Sequence, residues 1–204
     1  MINKLSFLLL LLASIFVSAC TLGIESSAII ETSVSGAPIP ARVGIVMGAN
    51  FKRLEKSFMA ARRCSYKIEG MEETGRRTVA AMLKSVYTET VSLTQAPTKQ
   101  EIVEKKLDGY ITMDAEHLRP RISCYQEFLS YDCSVKTEAG LSVVIYDKLG
   151  KLFQKTVRRE YAEFLKETGP CASHESIWES VSSAFRLTSE SMANVLQAAP
   201  SFRP

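Results

Sequence analysis

The chain has 204 residues, with 25 Lys and Arg against 22 Asp and Glu, a formal net charge of +3. Charge so near balance lacks the basic excess of a nucleic-acid binder. With 46% hydrophobic and 23% charged residues, the composition is that of an ordered globular protein and not of a disordered one.

The first element is MINKLSFLLLLLASIFVSAC. Lys4 is its one charge, an apolar run extends from Leu5 to Val17, and small residues close it. A positive start, a core of about 7–15 apolar residues and a small-residue exit make a secretory signal. A spanning helix needs about 20 apolar residues. Here Ser18, Thr21 and Gly23 dilute the run after Val17, and no basic stop-transfer cluster follows. Residues 1–19 are expected to be a signal peptide.

Val17-Ser18-Ala19-Cys20 places an aliphatic residue and two small ones before a cysteine at the signal's exit. This resembles the lipobox of bacterial lipoproteins. The resemblance implies a diacylglyceryl group on the Cys20 sulfur, cleavage before Cys20 and acylation of the new amino group. Two or more acyl chains anchor a protein stably. Thr21, where enterobacterial lipoproteins kept in the inner membrane have Asp, implies sorting to the outer membrane, facing the periplasm.

Residues 21–40, TLGIESSAIIETSVSGAPIP, are rich in Ser, Thr, Gly and Pro and carry no helical period. With Cys20 they are expected to form a flexible tether, 20–40, spanning about 25 Å. One domain is expected over 41–198, followed by a tail at 199–204.

Within the domain, Ala41–Met47 reads as a strand. The basic passage from Asn50 to Ile68 reads either as a short helix over Leu54–Ala61 or as strand and loop. GMEETGRRTVAAMLKSVYTET follows as a helix, with Val79, Met82, Leu83, Val86 and Tyr87 on one face. Val91–Leu93 is a short strand. Thr98 and Glu101 are spaced as a capping box, opening a helix with Ile102, Val103, Lys106 and Leu107 inward and Asp108-Gly109 at its end. Tyr110–Leu118 alternates as a strand that Pro120 is expected to interrupt. Val135–Tyr146 alternates most clearly, Asp147–Gly150 makes a hairpin turn, and Lys151–Leu165 returns with Phe153, Val157 and Tyr161 on one face. Ser173 caps a last helix whose stripe runs from Ile177 to Leu196. The order β-α-β-α-β-β-β-α predicts an α+β fold: a mostly antiparallel sheet of four to five strands with helices packed on one face.

Four cysteines remain besides Cys20: Cys64, Cys124, Cys133 and Cys171. An exported protein with an even remainder points to disulfides. The expected pairs are Cys124 with Cys133, closing CYQEFLSYDC, and Cys64 with Cys171. There is no C-x2-C spacing, and His117 and His174 are far apart, so no metal and no other cofactor is expected. No nucleophile or metalloprotease motif accompanies either histidine, so the protein is not expected to be an enzyme.

Arginines occur as Arg62-Arg63, Arg76-Arg77, Arg119-x-Arg121 and Arg158-Arg159. Two readings stand. Paired guanidinium groups suit the phosphates of anionic lipid or lipopolysaccharide, or the pairs are solvated charge balanced by Glu69, Glu72, Glu73 and Glu160. Arg158 and Arg159, adjacent in a strand, must point to opposite faces. Tyr125, Phe128 and Tyr131 form an aromatic set that would serve either as a protein-binding tip or as packing against the sheet.

The order of elements over residues 41–198 resembles small periplasm-facing outer-membrane lipoproteins, the YajG-like and LptE-like families. It shares the lipobox, the helix around Val79–Tyr87, the Asp108-Gly109-Tyr110-Ile111 step, the Asp147–Gly150 hairpin and the closing helix. The expectation is a membrane-anchored lipoprotein that binds or assembles with an envelope protein partner. The alternative is a binder of anionic lipid or lipopolysaccharide.

Overall fold

The described residues of the computed structural model are 21–25, 28–60, 64–127, 130–167, 171–200 and 202. Residues 1–20, among them Cys20, the pair Arg62-Arg63 and Phe128 lie outside them. The chain runs β1 (Thr21–Glu25), β2 (Ile39–Met47), a 3-10 turn at Ala49–Leu54, β3 (Lys56–Ala60), β4 (Cys64–Glu69) and α1 (Met71–Val86). It continues with β5 (Tyr87–Leu93), α2 (Lys99–Glu104), β6 (Gly109–Glu127), β7 (Ser130–Asp147), β8 (Gly150–Glu167) and α3 (His174–Gln197).

Strict alternation makes the centre of the fold. Val135, Thr137, Ala139, Leu141, Val143 and Ile145 are all buried, while the residues between them, Gly140 apart, are partly exposed. This is the period of a strand with one face covered. β6, β7 and β8 pair antiparallel over nearly their full lengths, a ribbon about 60 Å long at strand rise. β2 and β5 add to it in parallel, completing a five-stranded sheet in the order β5-β2-β6-β7-β8. The α+β fold with helices on one face is as expected. The β7–β8 turn is held by Asp147, whose Oδ1 accepts from Leu149 N and Gly150 N at 2.8 and 3.0 Å, and Gly150 takes a positive φ of 132°.

α1 and α3 lie together on the covered face. Ile177, Val181, Ala184, Phe185, Met192 and Leu196 of α3 join Val79, Met82 and Leu83 of α1 in one apolar cluster with the β7 side chains. Gly75 lets α1 approach closely, since a Cβ there would lie 2.6 Å from Leu54 Cδ1 and 3.3 Å from Phe185 Cζ. Two buried hydroxyls inside this layer are paired, while Ser189 Oγ has no partner. Ser180 Oγ donates to Thr137 Oγ1 at 2.9 Å, and Thr188 Oγ1 donates to Ala184 O at 2.8 Å. Both predicted caps form. Thr98 and Glu101 exchange hydrogen bonds, and Ser173 Oγ accepts from Ser176 N.

Several local expectations are corrected. The helix after Gly70 ends at Val86, and Tyr87 begins β5, where it is buried. α2 is a six-residue helix that buries Ile102, while Val103 is 70% exposed and Lys106 lies outside it at a φ of 52°. Pro120 does not interrupt β6 but pairs with Thr137. It sits beyond Met113, where β2 no longer pairs, and such an edge position tolerates a missing N–H. Of the two readings of the basic passage, strand and loop is the one that holds: Ala49–Leu54 is a 3-10 turn, and Lys56–Ala60 pairs antiparallel with Cys64–Glu69. Residues 28–38, expected within a free tether, lie against the helices. Ile30 is buried with its N–H donating to Thr78 Oγ1, Ser33 N–H donates to Glu190, and Ser35 Oγ to Asn194. Thr21–Glu25 pairs in parallel with β4.

β1, β4 and β3 form a second sheet in that order. It covers the end of the ribbon that the helices do not reach: β3 touches β6, and Tyr66 and Ile68 share the core cluster with Leu118 and Val135. Phe58, stacked on Tyr66 at 5.4 Å, lies at the margin of that cluster with Ile122 and Leu165.

Candidate functional site

Past the Tyr110–Tyr146 row, which borders a cleft with Ile102 of α2, no described element covers the ribbon's second face, and register decides what it displays. Cys124 pairs with Cys133, so residue 125 faces with 132 and residue 123 with 134. Across β8 the rows become Tyr125–Asp132–Lys166, Ser123–Ser134–Phe164, Arg121–Lys136–Ala162 and Arg119–Glu138–Glu160. All lie opposite the buried Val135 and Thr137.

At the far end, the first two rows frame a groove of about 460 Å³ whose wall also includes Cys133 and Leu165. Its aromatic residues face solvent: Tyr125 is 79% exposed and Phe164 is 84% exposed. Cys124 and Cys133 are disulfide-bonded with Cα atoms 4.0 Å apart. CYQEFLSYDC is therefore the end of a strand hairpin, with the disulfide crossing directly between paired residues. The expected aromatic set does not assemble as a unit. Tyr131 pairs with Gln126 and points to the other face from Tyr125, and Phe128 lies outside the described residues. Phe164 takes the place beside Tyr125, and the sequence reading missed it.

Cys64 and Cys171 are also bonded, with Cα atoms 5.7 Å apart. Next to this link, Tyr66 Oη donates to Ala172 O at 3.0 Å. The bond ties β4 to the segment that enters α3.

The arginines divide. Arg119, Arg121 and Arg158 are exposed on the open face, Arg158 reaching Glu116 at 3.8 Å. Arg159 points to the covered side and donates to Ser191 Oγ at 2.8 Å. Arg76 is committed to structure: it pairs with Glu72 at 3.0 Å, donates to Gly48 O and lies over the Phe51 ring. Arg77 is exposed on α1, away from the ribbon. Arg62 and Arg63 lie outside the described residues.

His117 contacts Glu138 Oε1 at 2.7 Å. The hydrogen bond from His117 holds the Glu138 carboxyl below its ordinary value, with smaller help from the charges of Arg119 and Arg158. His174 is exposed at the start of α3. Among the described residues no group of three or more His, Cys, Asp or Glu could hold a metal ion. No helix among them is long and apolar enough to cross a membrane.

No protein-family model and no curated protein matches the chain. Among solved structures, a Xanthomonas campestris protein of family DUF330 is 5% identical with a TM-score of 0.49, over 86% of this chain and 94% of that one. A putative neuraminyllactose-binding hemagglutinin homolog from Helicobacter pylori is 7% identical with a TM-score of 0.48, over 83% and 92%. A minor lipoprotein from Acinetobacter baumannii is 11% identical with a TM-score of 0.37, over 82% and 99%. At these levels none bears on which residues act here.

Proposed function

We propose that this chain is a lipoprotein anchored through Cys20 to the outer membrane, facing the periplasm, and that it works without catalysis as a binding or assembly partner of another envelope protein. The carrying observation is the uncovered ribbon face. Arg119, Glu138, Arg121 and Lys136 stand on it in cross-strand rows held by backbone pairing. A fixed pattern of charges of both signs steers a partner and sets its register. The lipobox supports the location, and two disulfides suit an oxidising compartment.

A photo-crosslinking residue at Ala162, exposed on that face, should yield one discrete adduct with an envelope protein in cells. The same residue at Lys84 on α1 should not. No adduct at Ala162, or the same adducts at both sites, would sink the partner reading. Cys20→Ser should move the protein out of the membrane fraction, and its retention there would sink the anchor.

A second reading has its own observation: Arg119, Arg121 and Arg158 share one face, so their guanidinium groups suit the phosphates of anionic lipid or lipopolysaccharide. Replacing all three with Ala should weaken binding to anionic vesicles, most at low salt. Unchanged binding would dispose of it.

A further inference from the structure

We propose that the far end of the ribbon seats in the headgroup region of the membrane that holds Cys20, with Tyr125 and Phe164 entering the interface. This rests on the anchor reading and adds an orientation to it.

The first observation is where the anchored end of the chain emerges. Thr21 directly follows Cys20 and pairs with Ser65. Ser65 is next to Cys64, whose Cα is 5.7 Å from that of Cys171. Cys171 follows Glu167 by four residues, a reach of at most about 14 Å. Glu167 pairs with Tyr131 in the last row of the ribbon. The lipid-bearing residue therefore leaves the domain at the ribbon's far end, and the β7–β8 turn at Lys148-Leu149 lies at the opposite one.

The second observation is the exposed aromatics. Tyr125 and Phe164 occupy neighbouring rows of one face at that end, more than three-quarters exposed. Tyrosine, with an apolar ring and a polar tip, favours the membrane–water interface, and phenylalanine serves on the apolar side of interfacial segments. The Cys124–Cys133 bond, set between the two rows, pins the hairpin that presents them.

Charge supplies the third. Lys166 shares the Tyr125 row, opposite Asp132, and the first row inward from Phe164 carries Arg121 and Lys136. Rows on one face are about 7 Å apart. Rings at the headgroup–acyl boundary thus leave the Arg121–Lys136 row near the phosphates, where anionic lipids attract basic side chains. Such a seat stands the ribbon upright on the membrane, with the Arg119–Glu138 row and those beyond it reaching into the periplasm.

The test uses the full lipidated chain in phosphatidylethanolamine–phosphatidylglycerol vesicles with brominated acyl chains. Trp178, the one native tryptophan, is changed to Phe, and a reporter is placed by Phe164→Trp or by Leu149→Trp. The expected result is that both proteins float with the vesicles, the Phe164→Trp emission falls to less than half, and the Leu149→Trp emission is unchanged. Flotation without quenching at Phe164→Trp overturns the seating and leaves the anchor intact. So does a Phe164→Trp reporter shielded only when envelope proteins are added, which would make the end a protein-docking site. Equal quenching at both reporters overturns the orientation. Failure to float overturns the anchor reading, and the seating with it.

Discussion

The two disulfides should contribute very unequally to stability, because they close loops of very different length. Cys64–Cys171 has a sequence separation of 107 and Cys124–Cys133 one of 9. A cross-link stabilises chiefly by removing loop-closure entropy from the unfolded chain, by about 4.8 kcal/mol for the long loop and about 2.6 kcal/mol for the short one. The native contexts push the same way. Cys64 is 2% exposed, and its bond joins two separate elements, while Cys124 and Cys133 sit on strands already paired by backbone hydrogen bonds. An ordinary domain has only about 5–15 kcal/mol in total. Cys64→Ala with Cys171→Ala should therefore bring the chain close to unfolding at room temperature, and Cys124→Ala with Cys133→Ala should leave it folded with a lower midpoint. The assay is equilibrium urea unfolding of residues 20–204 carrying Cys20→Ser, with the free energy in water compared across the three proteins. Equal losses, or a larger loss for the Cys124–Cys133 pair, would refute the loop argument.

The buried pair Ser180–Thr137 offers a second test. Ser180→Ala removes the donor to a fully buried Thr137 hydroxyl and should cost about 1–3 kcal/mol, whereas Ser180→Ala with Thr137→Val should cost less than the two single changes added together. Additive losses in the same unfolding assay would mean that the pair is not coupled. Gly109→Ala should lower the thermal midpoint by a core-overpacking cost of about 1–3 kcal/mol, because the new Cβ would lie 2.2 Å from Tyr146 O, and an unchanged midpoint would contradict that crowding. Glu138 tests pH dependence. Its carboxyl is held below its unfolded value by the His117 hydrogen bond, so its stabilisation is present above the unfolded carboxylate range and is lost as pH falls through the folded value. The stability gap between wild type and Glu138→Gln should be widest near neutrality and close in acid, and a gap that widens as pH falls would reverse the sign.

Local signals carried most of the main sheet and its helices. The alternation from Val135, the Asp147–Gly150 turn, the Thr98–Glu101 box and the Ser173 cap are each complete within a few residues. What was hidden depended on register and on pairing at a distance. Tyr125 and Tyr131 differ by an even number of positions, yet they face opposite ways because a hairpin turn intervenes. Once Cys124 is taken as the cross-strand partner of Cys133, residue 125 must face 132. The disulfide expectation already contained that result, but treating CYQEFLSYDC as a loop concealed it. Phe164 needed the β8 register as well. The β3–β4 hairpin was obscured because its strands are only five and six residues long, and because Tyr66 and Ile68 are recognisable as core only once the ribbon they cover is known. Residues 28–38 have no period because single contacts hold them, Ile30 and Ser33 among them, and not a repeating face.

The second sheet has a geometric reason. α3 has 24 residues and spans about 36 Å at helix rise, while the ribbon is about 60 Å long. The covered face stays apolar beyond the Thr137 row that Ser180 touches, at Val135, Ile122 and Leu165, and an apolar sheet face requires a second layer. β4 and β3 supply it with Tyr66, Ile68 and Phe58. Two strands alone are marginal as an independent unit, which accounts for the Cys64–Cys171 tie to the α3 approach and for β1 as a third strand. Because β1 begins directly after Cys20, the strand that completes this cover also fixes where the proposed anchor would leave the domain. Under the proposed anchor, covering the ribbon's far end and bringing that end to the membrane would be two results of one pairing, Thr21–Glu25 on Ser65–Glu69.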